Sequence, residues 1–167
     1  MKRAVLVLSG LAIAAMASAQ MENGSVKLRV GAVYPFENST RKVTGNMIGV
    51  GIDYTLAKSL LPNGETFLNF DWFGKSGSGA KGNIFPFMVN QKWFTDKGRP
   101  AGNRPYIFLG AGFANVDVTK AKVVYAGRAG IGAELNDKVS FDVILTVSDK
   151  AGLARANSIG VYFGYKF

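Results

Sequence analysis

The sequence predicts an all-β protein whose eight antiparallel strands, in up-and-down order, close into a transmembrane β-barrel. Three observations predict it. Eight segments alternate apolar residues with polar or small ones, the period of two that sends successive strand side chains to opposite faces. Many of the 21 glycines fall on one of those faces. The final segment, Ser158 to Phe167, alternates without a break and stops on a phenylalanine.

The first strand is expected over 25–34, with Val26, Leu28, Val30, Ala32 and Tyr34 opposite Lys27, Arg29 and Gly31. The second, 46–56, sets Ile48, Val50, Ile52 and Tyr54 against Gly49, Gly51 and Asp53. The third, 65–73, sets Leu68, Phe70 and Trp72 against Asn69 and Asp71, although Phe67 and Phe73 fall on the polar face. The fourth, 83–94, carries Phe85, Phe87, Val89 and Trp93 against Asn90 and Lys92. Pro86 lies inside it, removes a ladder donor and suggests a bulge.

The fifth strand, 105–115, alternates Ile107, Leu109, Ala111 and Phe113 with Gly110 and Gly112. The sixth, 122–135, alternates Tyr125, Ala129, Ile131, Ala133 and Leu135 with Arg128, Gly130, Gly132 and Glu134. The seventh, 139–148, sets Val139, Phe141, Val143, Leu145 and Val147 against Ser140, Asp142, Thr146 and Ser148. The eighth sets Ile159, Val161, Phe163, Tyr165 and Phe167 against Ser158, Gly160, Tyr162, Gly164 and Lys166. No amphipathic helical stretch of useful length, internal repeat or interdomain linker is expected between them. With both termini on the inner side, the outer links are 35–45, 74–82, 116–121 and 149–156, and the inner ones 57–64, 95–104 and 136–138.

The chain begins with the basic Met1-Lys2-Arg3, an apolar run from Ala4 to Met16 and the small-residue site Ala17-Ser18-Ala19 before Gln20. This is the pattern of a secretory signal peptide, 1–19, cleaved between Ala19 and Gln20. Removing 19 of 167 residues leaves 148, enough for one domain, 20–167. The apolar run is too short to span a membrane as a helix. With no cysteine, neither a lipid-anchored thiol nor a disulfide framework is available. The formal charge of +9 falls to +7 once Lys2 and Arg3 are lost, and in an exported chain such charge points to lipid or polysaccharide rather than nucleic acid.

Alternation alone does not say which face meets lipid. A soluble lipocalin-like barrel that binds an apolar ligand in the periplasm would alternate too, with its apolar face inward. Glycine on a solvated strand face loses backbone entropy and shields nothing. In the narrow lumen of an eight-stranded barrel it makes room instead. The polar faces also carry a near-balanced set of charges: Lys27, Arg29, Lys92, Arg128 and Lys166 with Asp53, Asp71, Glu134 and Asp142. Buried charges persist when paired, so these nine are expected to form an interior polar network. Tyr34, Tyr54, Trp72, Trp93, Tyr165 and Phe167 lie near strand ends on the apolar faces, the placement of an aromatic girdle.

The signal with Ala17-Ser18-Ala19, the strand opening Pro105-Tyr106-Ile107-Phe108-Leu109-Gly110-Ala111-Gly112 and the ending Tyr165-Lys166-Phe167 together resemble small eight-stranded bacterial outer-membrane barrels of the OmpA-transmembrane-domain and OmpX-like kind. The resemblance implies residence in the bacterial outer membrane and contact with its lipid. It implies insertion by the barrel-assembly machinery with periplasmic chaperones, for which the terminal Phe167 serves as part of the signal. Because the chain ends at the barrel, the peptidoglycan-binding domain that follows in full-length OmpA-like proteins is not expected.

Catalytic chemistry finds little support. No histidine occurs, which removes Ser-His-Asp and Cys-His catalysis and the usual zinc sites, and no cofactor or metal is expected. Asp53, Asp71, Glu134 and Asp142 are expected to pair with cations rather than act as an acid–base couple. Gly49-x-Gly51, Gly110-x-Gly112 and Gly130-x-Gly132 lie inside strands and lack the following helix that a phosphate-binding loop needs. The outer links hold Arg41, Lys42, Lys75, Lys81, Lys120, Lys150 and Arg155 against Glu37, Asp117 and Asp149, a surface suited to anionic lipid or polysaccharide. The expected function is that of a non-enzymatic barrel with a structural, surface-interaction or very restricted solute-passage role.

Overall fold

The computed structural model describes residues 24–75, 82–95 and 103–167. The signal segment, the Ala19–Gln20 cleavage site and Lys81 lie outside them. Eight strands form: β1 (Ser25–Pro35), β2 (Met47–Thr55), β3 (Glu65–Gly74), β4 (Asn83–Phe94), β5 (Arg104–Asp117), β6 (Lys122–Glu134), β7 (Val139–Ser148) and β8 (Ser158–Lys166). Each pairs antiparallel with its neighbour in sequence, and β8 closes on β1, giving one closed barrel.

The register fixes the barrel's shape. The row of partners that starts at Ser25 passes through Thr55, Phe67, Asn90, Gly110, Arg128, Thr146 and Ser158, and returns to β1 at Pro35, ten residues further on. With eight strands and that stagger, ordinary strand spacings give a tilt of about 40° and a lumen just wide enough for side chains.

The apolar faces point out. Val30, Ile48, Leu109, Ile131 and Phe163 are all more than half exposed, while Arg29, Asp53, Asp71, Arg128 and Asp142 are at most 4% exposed. A soluble carrier with its apolar faces inward is therefore ruled out. The glycines of the inner face leave the space that larger groups occupy. A Cβ on Gly51 would meet the Asp71 carboxylate, and one on Gly49 or Gly160 would meet the Tyr162 ring.

One expectation is corrected. Pro86 introduces no bulge: Phe70↔Phe87 and Phe73↔Ile84 keep one register on either side of it, and β4 pairs with β5 straight through Pro86↔Ala114. The proline faces the lumen and is buried, so it costs the β3–β4 ladder rungs without shifting it. A helix also forms, α1 (Asn38–Thr44), in the first outer link. Seven residues without apolar periodicity give no signal; tertiary bonds hold them. Thr40 Oγ1 donates to the Arg155 carbonyl at 2.8 Å and accepts from the Arg155 N–H at 3.1 Å. Gly45, at φ 61°, ends the helix and donates to the Arg41 carbonyl at 2.8 Å.

The short inner turn after β6 is built on Asn136, whose Oδ1 accepts from the N–H groups of Lys138 and Val139, both at 2.8 Å. At the outer end, Ala151 and Ala154 bridge each other, and the side chain of Asn157 accepts from Ser148 N–H at 2.9 Å. This folds the last outer link back over the barrel mouth. Ala151, Ala154 and Ala156 are buried there with Thr40 and Thr44 of α1.

Candidate functional site

The lumen has two halves. In the inner half, strand alternation brings charged residues from seven strands to a common axis. Arg29 reaches Asp71 at 2.8 Å and Asp53 at 3.1 Å. Arg128 pairs with the other Asp71 oxygen and also donates to Asn69 Oδ1. Asn69 in turn donates to Asp53 Oδ1 at 2.7 Å. Lys27 bridges Asp53 at 3.2 Å and Asp142 at 3.3 Å, and the Tyr106 hydroxyl donates to Asp142 at 2.5 Å. Nearer the inner mouth, Lys92 bridges Glu65 at 2.6 Å and Glu134 at 3.3 Å, and Arg104 reaches Glu134 at 2.5 Å.

Eight of the nine residues expected in the interior thus stand in ion pairs. Lys166 does not: it is exposed at the inner mouth, and its ammonium makes no ion pair among the described residues. Glu65 and Arg104 take part although the sequence reading left them out, because both sit at strand ends where alternation fades. With them the paired set among the described residues holds five cations and five anions, and is neutral without Lys166. Aromatic residues also enter the lumen. Tyr162 lies under the Arg29 guanidinium at 5.2 Å, and Phe67 packs edge-on against Phe108 at 5.7 Å.

The outer half is apolar. Val33, Met47, Phe73, Ile84, Met88, Ala114, Val116, Val124 and Ile144 are buried there, with Ile84, Met88, Ala114 and Val116 at 0% exposure. The cap formed by α1 and the 149–157 link closes it from above. At the inner mouth lies a cavity of about 40 Å³ lined by Lys27, Glu65, Lys92, Glu134, Lys138 and Lys166. That is room for a few water molecules and not for an organic solute.

The six girdle residues divide by depth. Tyr34 and Trp72 lie at the outer ends of their strands, and Tyr54, Trp93, Tyr165 and Phe167 at the inner ends. Tyr34, Tyr165 and Phe167 are the most exposed of them, and Tyr165 and Phe167 pack edge-on at 5.2 Å. Trp72 donates to Asn83 at 2.9 Å. A barrel with an apolar outer wall, a charged and glycine-lined lumen and aromatic residues at both rims meets every requirement of a bilayer-spanning sheet. Residues 4–167 match the family model described as "Outer membrane protein beta-barrel domain".

The chain belongs to this family. It is a β-barrel protein of the bacterial outer membrane. No curated protein matches its sequence. Several solved structures match its fold. The Yersinia pestis outer membrane protein Ail is 12% identical, with a TM-score of 0.53 over 86% of this chain and 99% of that one. Neisserial surface protein A is 11% identical, with a TM-score of 0.55 over 87% and 96%. The N-terminal barrel domain of Pseudomonas aeruginosa OprF is 16% identical, with a TM-score of 0.52 over 86% and 97%. At these identities the likeness is one of fold.

Proposed function

We propose that this protein is a non-conducting, non-enzymatic outer-membrane barrel that presents a basic outer surface to the anionic cell envelope. The observation that carries the reading is the filled lumen: a neutral ion-pair network in one half and a packed apolar core in the other. Water and ions crossing the barrel would have to displace side chains that are fully buried.

Catalysis is disfavoured on chemical grounds. Asp53, Asp71, Glu134 and Asp142 each lie against a lysine or arginine, and the chain has no histidine to move a proton near neutral pH. At the outer end the described residues include Arg41, Lys42, Lys75, Lys120, Lys122, Lys150 and Arg155 against Glu37, Asp117 and Asp149. That excess of cations suits lipid phosphate or acidic polysaccharide. At the inner end Phe167 is 64% exposed.

The test is conductance in planar bilayers of the refolded protein. The expected result is silence at all voltages at which the bilayer itself is stable. A steady unitary conductance that changes when Arg128 is replaced by alanine would sink the reading in favour of a narrow pore.

A further inference from the structure

We propose that Arg41, held against Tyr34 at the outer rim, is a binding site for the phosphate group of an outer-leaflet lipid. The proposal rests on the reading of the outer end as an anion-facing surface, and assigns the residues and the chemistry. Tyr34 ends β1 on the lipid-facing side, 46% exposed. The Arg41 guanidinium lies over its ring at 5.7 Å. One terminal nitrogen donates to the Tyr34 hydroxyl at 2.5 Å and the other to Asn38 Oδ1 at 2.7 Å.

Both acceptors are neutral. The guanidinium is therefore oriented without being neutralised: no carboxylate pairs with it among the described residues. Arg29, Arg104 and Arg128 differ in this respect, since each meets an acid. A guanidinium has five N–H donors, so three remain for a ligand, in the planar arrangement that suits two phosphate oxygens. The position is preset, because the reciprocal Thr40–Arg155 bonds tie α1 to the last outer link. Lys42 stands next to it, exposed.

The wall beneath supplies the rest of a lipid site. Tyr34 pairs with Ile159, and Ala32, one lipid-facing step down, pairs with Ile48 and Val161. All five are exposed on the outer wall. A phosphate held at Arg41 thus leaves its acyl chains to run down Ala32 and its neighbours, a gain that free phosphate lacks.

The experiment titrates the refolded protein in detergent micelles with three probes: a diphosphorylated lipid A, the same lipid with its phosphates removed, and inorganic phosphate. Native mass spectrometry reads binding, and heat-modifiable gel migration checks that each variant is folded. The phosphorylated lipid should bind the parent protein most tightly. Arg41→Gln should weaken it by about tenfold or more, as expected for loss of a charge-assisted bond. Tyr34→Phe, which keeps the ring and removes the hydroxyl, should weaken it less. Lys122→Gln, a rim cation on another strand, should weaken it less than Arg41→Gln.

Equal binding by Arg41→Gln and the parent would overturn the site. So would equal losses for Arg41→Gln and Lys122→Gln, which would leave only a diffuse basic rim. Inorganic phosphate bound as tightly as the lipid, with the same dependence on Arg41, would overturn the lipid assignment. Failure of the parent to bind either phosphate probe would overturn the site together with the anion-facing reading of the rim.

Discussion

The two halves of the lumen are filled by opposite means within one sheet. The inner half holds ten charged side chains in mutual pairs. The outer half holds methyl groups, a phenylalanine and two methionines packed as in the core of a soluble protein. The strands run through both halves with unbroken registers. Closing a small barrel thus demands only that its interior be full and its polar groups paired; which chemistry fills it is free to change along the axis.

The comparison breaks most sharply at Asp71. Asp71→Ala leaves Arg29 and Arg128 without their shared partner in a fully buried setting. It should cost about 3–5 kcal/mol, as for other broken buried pairs. Urea unfolding from lipid vesicles, followed through the fluorescence of Trp72 and Trp93, measures this. Replacing Arg29, Asp53, Asp71 and Arg128 together by Met, Leu, Leu and Met removes two cations and two anions and should cost less than Asp71→Ala alone, because the remaining charges stay paired. If the fourfold change were the worse of the two, the inner half would depend on its charges for more than filling space.

In the outer half, Ile84→Ala removes fully buried methylenes and should cost about 2–4 kcal/mol, with no second substitution able to restore it by charge pairing. The smallest contrast concerns glycines on the two faces of the sheet. A Cβ on Gly31 would run into the Val161 carbonyl, whereas one on Gly127, which faces lipid, would meet only ordinary contacts at 3.7 Å and beyond. Gly31→Ala should therefore destabilise by about 1–3 kcal/mol. Gly127→Ala should stay within about 0.5 kcal/mol of the parent. A severe loss at Gly127 would mean that the outer wall is packed against something more specific than acyl chains.

The period of two was enough to read all eight strands, because each has one face in lipid and one in the lumen. Arg29, Asp53, Asp71, Arg128 and Asp142 were legible for the same reason: a charge in the middle of such a strand has only one place to go. Glu65 and Arg104 were not, since a charge at a strand end is equally at home in a link. The apolar outer lumen was hidden for a different reason. Phe73, Ile84, Met88 and Ile144 put apolar residues on both faces of their strands, and alternation weakens where both sides of the sheet are dry. Phe67 and Phe73 signalled this as exceptions to the pattern. The helix α1 carried no sequence signal because its main support, Arg155, lies more than a hundred residues away.

The dry outer lumen also bears on abundance. A barrel that leaks adds to membrane permeability with every copy inserted. On the reading proposed above, in which side chains seal the interior, each copy adds only surface. The number of such barrels a cell can carry is then set by membrane area and assembly capacity, not by the solutes that each copy would let through.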